Sequence, residues 1–198
     1  MRKRNIILLL GLTVLVLGGC ASRPDADIAA ANEALGAAKV AEAEMYAPEE
    51  FAKASDSLKE AQAEIATQDE KFALTRSYEK AVEILNRVKA EAQQAGDAAN
   101  ANREQVKGEA ESAQATITAL LTETRDMLAN APKGKGTKAD LEALAADLSA
   151  AETSFGEASQ MLADGKFLQA RDQFQGVSDK ITAIKTEIET AIATKGRR

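Results

Sequence analysis

The chain has 198 residues, with 25 lysines and arginines against 31 aspartates and glutamates, a net charge of −6. An acidic surface argues against nucleic acid as a partner, because phosphate binding rests on clustered cations, and against extended contact with anionic lipid. No histidine and a single cysteine exclude an intrachain disulfide and leave the chain poor in zinc donors.

Arg2, Lys3 and Arg4 open the chain, and Ile6 to Leu17 form an apolar run interrupted only by Gly11 and Thr13. A basic start, a short apolar stretch and small residues are the parts of a secretory signal. The run is shorter than the ~20 residues of a membrane-spanning helix. Leu17-Gly18-Gly19-Cys20 resembles the lipobox of bacterial lipoproteins. That resemblance implies cleavage between Gly19 and Cys20 and a diacylglyceryl thioether on the Cys20 thiol, a side chain nucleophilic enough to accept it. One acyl chain holds only marginally, so the two or three chains of such proteins imply stable anchoring in membrane lipid. Ala21, where retained lipoproteins carry aspartate, implies sorting to the outer membrane, facing the periplasm. Residues 1–19 are thus expected to be a signal peptide, and 20–24 a lipidated start and short linker. Cleavage would remove Arg2, Lys3 and Arg4 and no acid, moving the net charge from −6 to −9.

The rest of the chain is rich in alanine, glutamate, lysine and leucine, strong helix formers. It shows no run of alternating β-branched residues, so an all-α fold is expected. Residues 25–130 read as a helical hairpin with one long helix. Its first seam is Phe51, Ala54, Leu58, Ala61 and Ile65, at the three- and four-residue steps of packed helices. A turn is expected near 66–71. The second seam runs from Leu74 through Tyr78, Ala81, Leu85, Val88, Ala92 and Ala95. The pattern continues, predicting one long helix over 70–130, and the stutter near Asn102 with Gly96, Asn100 and Gly108 leaves open whether it runs straight or bends at 96–108. Residues 131–138 read as a loop and 139–198 as a distal helical hairpin, with Leu141, Leu144, Leu148, Ala151, Phe155, Ala158 and Leu162 on one arm. Phe167, Ala170, Phe174, Val177, Ile181, Ile184 and Ile188 lie on the other, and Asp164-Gly165 marks the turn near 163–166. Shifts of 97 and 96 residues lay the first hairpin's seams on the second's, as an internal duplication would. The expected architecture is elongated and bundled, with coiled-coil-like packing.

Ala43 to Ile65 carries Tyr46-Ala47-Pro48, the acidic pair Glu49-Glu50 and then Ala54, Leu58 and Ala61. With "SYEKAVEIL" (77–85), this segment resembles a family of alanine-rich bacterial lipoprotein domains of unknown function. The resemblance covers roughly residues 24–95. Longer relatives place an OmpA-like peptidoglycan-binding domain after it, and none follows here. In physical terms, Pro48 disfavours helix at Ala47 and starts a new one, with both acids at its positive end. "SYEKAVEIL" and "GKFLQARDQF" are also similar to helices of tetratricopeptide repeats, whose period of about 34 residues is absent.

No catalytic, cofactor or metal site is expected. "GKGTK" (134–138) lacks the Gly-Lys-Ser/Thr order of a phosphate loop. Glu49 and Glu50 diverge by about 100° on a helix. Lys133, Lys135 and Lys138 form a weak candidate contact for an anionic polymer. The expected role is a structural spacer or adaptor, held by membrane lipid at Cys20 and contacting an envelope protein. The alternative is a helical-repeat binding module that holds a peptide, an envelope protein or peptidoglycan.

Overall fold

Alanine at inward positions of a helix lets a neighbouring backbone come close, and in the N-terminal half Ala31, Ala38, Ala54, Ala61, Ala81, Ala92 and Ala95 are buried in this way between larger residues such as Ile65, Leu85 and Val88. The computed structural model describes residues 22–132 and 138–195, all helix or connection, with no strand among them. Helix α1 (Asp25–Val40) has Asp25 and Asp27 in its first turn and Lys39 in its last, each charge complementing the helix dipole. Its buried residues are Ala31 and Ala38. The chain turns at Glu42, a non-glycine residue in the left-handed region (φ 59°), into the single turn α2 (Ala43–Tyr46). Pro48 then opens α3 (Pro48–Asp69), with Glu49 and Glu50 in the first turn, as expected from the sequence.

The connection that follows is longer than expected. α3 runs to Asp69, a short 3-10 turn occupies Ala73–Thr75, and α4 (Glu79–Asn130) begins at Glu79 rather than at 70. Leu74, assigned to the seam from its spacing, sits in that turn and is exposed. Seam spacing alone places no helix start. Here Arg76 decides it, donating through Nε and Nη2 to the carbonyls of Lys71 (2.9 Å) and Asp69 (2.8 Å) and holding the segment off the helix. From Tyr78 onward the expected seam is buried.

α4 is one unbroken helix of 52 residues through 96–108, about 78 Å long. α5 (Lys138–Ala163) and α6 (Phe167–Lys195) follow. α5 takes Lys138 out of the expected loop. Between them Gly165, at φ 77°, closes a Schellman turn. The Lys166 N–H donates to Met161 O (2.9 Å) and the Gly165 N–H to Leu162 O (3.1 Å).

The packing differs from two separate hairpins. α4 is a spine shared by two three-helix bundles set end to end. In the first, α1 runs parallel and α3 antiparallel to the N-terminal half of α4, around Ala31, Ala61, Ile65, Tyr78, Ala81, Leu85 and Val88. In the second, α6 runs parallel and α5 antiparallel to the C-terminal half, around Ala110, Ile117, Leu121, Leu144, Leu148, Phe174 and Ile181. The distal hairpin therefore completes its core on α4.

Ion pairs mark the register. Asp27–Lys89 (3.3 Å) and Glu123–Lys185 (2.6 Å) each join residues 62 apart. Adding 96 to the first pair gives the second. The antiparallel partners do not follow that shift. The Tyr78 hydroxyl donates to Asp69 (2.5 Å), whereas the corresponding Phe174 packs its ring 5.7 Å from Phe155, which the shift places on Leu58. The connection at 70–78 is long and that at 164–166 short, so the two hairpins share seams but not register.

Candidate functional site

Gly19, Cys20, Lys133 and Lys135 lie outside the described residues. Lys138 opens α5, exposed, its Nζ 3.7 Å from Glu142 Oε1. It borders a cavity of about 380 Å³ with Arg125, Leu128 and Leu141. Glu49 and Glu50 share a cleft of about 230 Å³ with Lys53 and Glu91. Glu91 is nearly buried. Its Oε1 lies 3.3 Å from Lys53 Nζ, and its Oε2 has no hydrogen-bond partner. Among the described residues no group of carboxylates or sulfurs is arranged to hold a metal ion, and no helix is long and apolar enough to cross a membrane.

Three places carry more structure than a solvated surface requires. The first is the end where the described chain begins. Arg23 Nε lies 3.5 Å from Asp69 Oδ2, and Ser22 borders a cavity with Tyr78 and Val82, so the described chain begins beside the 70–78 connection. That connection is braced from within. Gln68 Oε1 accepts from the Ser77 N–H (3.2 Å) while its Nε2 donates to Glu64 (2.8 Å), and Lys80 Nζ reaches the other Glu64 oxygen at 2.8 Å. The Lys80 contact, then the Gln68 amide, hold the Glu64 carboxyl below its usual range. The Asp69 carboxylate, accepting from Tyr78, raises the phenol above its usual value.

The second is the joint between bundles. Here α2 and the start of α3 meet the α5–α6 turn in one apolar cluster holding Ala43, Tyr46, Ala47, Val106 and Phe167. Asn102 Nδ2 donates to Tyr46 O at 2.7 Å. The Arg103 guanidinium lies over the Phe167 ring, 5.2 Å from its centroid, with Nε 3.2 Å from Glu42 Oε2. The Tyr-Ala-Pro triplet thus belongs to a structural joint, and the stutter near Asn102 is where α4 exchanges one pair of partners for the other. Arg103 was not singled out in the sequence; its only signal was a polar pair at the seam position where the companions shift.

The third is a groove of about 620 Å³ between α4 and α6. Its floor is Ile117 and Phe174, both buried, and its walls include Ser112, Thr116, Gln175 and Ser178. Glu109 and Arg171 (3.5 Å) lie at one end. Small hydroxyl residues at these positions look in sequence like ordinary solvent-facing helix, so periodicity does not reveal the groove.

No family model, curated protein or solved structure matches this chain.

Proposed function

We propose that the chain is a non-catalytic lipoprotein of the bacterial envelope, anchored at Cys20 in the outer membrane and facing the periplasm, where it acts as a spacer or adaptor. The observation that carries this reading is the placement of the two ends of the spine. The described chain begins at Ser22, beside the N-terminal end of α4, and Asn130 closes the other end, about 78 Å along a 52-residue helix. An anchor at Cys20 would set the first bundle against the membrane and hold the second away from it. The run from Ile6 to Leu17 followed by Gly18-Gly19-Cys20 supports the same assignment.

The α4–α6 groove favours a second reading, in which the distal bundle holds an extended segment of an envelope protein or a peptidoglycan stem peptide. Its polar walls and apolar floor suit such a chain. Two measurements test these readings. Intact-mass analysis of the mature protein should show acylated Cys20 as the first residue; an unmodified cysteine rejects the anchor. A photo-crosslinking residue at Ser112 should capture a discrete envelope protein in living cells, and the same residue at Glu33 on α1 should not. Capture of muramyl peptide alone at Ser112 selects peptidoglycan, and equal capture at both positions removes the groove as the working surface.

A further inference from the structure

The 70–78 connection exposes two large apolar side chains, Phe72 (71%) and Leu74 (72%), in a chain with only five phenylalanines. Such residues in a solvated turn cost solubility without contributing to the core. Neither is free to tuck away, because Arg76, Gln68 and Tyr78 tie both flanks of the turn to the end of α3. The result is a stiff knuckle with Phe72 and Leu74 outward and the exposed Lys71 beside them. It stands at the end of the molecule where Arg23 meets Asp69. From Ser22 to Cys20 there are two residues, a reach of at most ~7 Å.

We propose that the Lys71–Arg76 knuckle is a membrane-contact element that seats Phe72 and Leu74 in the interface of the bilayer holding the Cys20 acyl chains. The proposal rests on the reading of Cys20 as lipidated. The contact is apolar rather than electrostatic, since Asp69, Glu70 and Glu79 offset Lys71, Arg76 and Lys80 around the turn and leave no basic patch for an anionic surface. A lipid tether alone leaves a protein free to tumble about its first residue. A second, rigid point of insertion beside the tether restricts the tilt of the spine, and a preformed turn gives up little conformational entropy in making it.

Because the chain has no tryptophan, Phe72→Trp supplies a single indole reporter. The full-length lipidated variant is reconstituted in neutral phosphatidylcholine vesicles with and without brominated acyl chains. Its emission should shift to shorter wavelength, and bromolipid should quench it several-fold more than in Val40→Trp, whose site is 86% exposed at the other end of α1. Equal, weak quenching in both variants, on protein whose mass shows acylated Cys20, overturns the inference and leaves the anchor standing. Unmodified Cys20 overturns both. A blue shift that bromolipid does not quench and that disappears as protein is diluted in the vesicles assigns the knuckle to a second copy of the chain and also overturns it.

Discussion

Ile181 shows how much one side chain carries in a bundle this narrow. It is fully buried among residues of α4, α5 and α6. Ile181→Ala should cost about 2–5 kcal/mol in urea unfolding, through lost transfer energy and the cavity left behind. Ile181→Asp should cost more, because the carboxylate would be buried without a partner. Lys138→Ala should change stability little, since its only described ion pair is exposed and long. The two titrating groups beside the knuckle act at opposite ends of the pH scale. Glu64 has its folded pKa lowered from 4.5, so its contribution is present above the ordinary carboxylate range and lost as pH falls through the depressed value. Tyr78 has its folded pKa raised from 10.0, so its contribution is complete below that value and lost as pH rises through the raised one, where phenolate would face Asp69. In thermal melts the advantage of wild type over Tyr78→Phe should therefore shrink above pH 10, and an advantage that stays constant there would sink the assignment.

At the scale of elements, two glycines do different work. Gly108 lies within α4 with open space where a Cβ would stand, so it carries only the entropic cost of glycine in a helix. Gly108→Ala should stabilise by about 0.5–1 kcal/mol. Gly165 also has open space, but its positive φ is what allows the Schellman turn before Phe167. Gly165→Ala should cost about 1–2 kcal/mol, and Gly165→Asn less, because asparagine tolerates the left-handed region better. Circular dichroism melts of the three variants check the ordering. Loss of stability in Gly108→Ala would mean that α4 needs flexibility at that point. The helix pairs themselves are aligned by solvent-facing ion pairs such as Arg125–Glu152 (2.7 Å) and Arg87–Glu60, which select register more than they add stability.

For the whole molecule, the shared spine changes where the chain can be divided. A cut after Asn130, suggested by the loop that follows, strips α5 and α6 from α4 and uncovers Ala110, Ile117 and Leu121. The stretch from 104 to 130 would then be a lone helix, marginal in water. Trypsin should cleave the 1–130 fragment rapidly after Lys107 and Arg125 while leaving those bonds protected in the intact protein. A fragment ending at 103, at the joint, should resist. If 1–130 is as resistant as the full chain, the distal half of the spine is held by something other than α5 and α6. The 1–103 fragment is also the sounder one for separating anchor from working surface, since it removes the α4–α6 groove and leaves the knuckle intact.

Helix content, the presence of one long helix, the helix start at Pro48 and the turn at Gly165 were all legible in the sequence, whereas the unbroken run of α4 through 96–108 was decided only by its packing. The legible features each depend on local chemistry: period, a fixed proline φ, a glycine at positive φ, and the absence of strand patterning. Most seam residues were legible for the same reason, because a heptad marks a buried face whatever covers it. What covers it was not legible. Ala31 and Ala38 of α1 pack against α4 through small side chains that leave almost no hydrophobic signal, so a three-helix bundle read as a hairpin. Leu74 kept perfect seam spacing yet ended outside the core, because bonds from Arg76 and Gln68 across the turn outweigh periodicity. The joint at Asn102 and Arg103, the groove floored by Ile117 and Phe174, and the meeting of Ser22 and Arg23 with Tyr78 and Asp69 all bring together residues distant in the chain. Only the packing of α1, α3, α5 and α6 around one spine decides such neighbours, because helix period specifies a face and leaves its partner open.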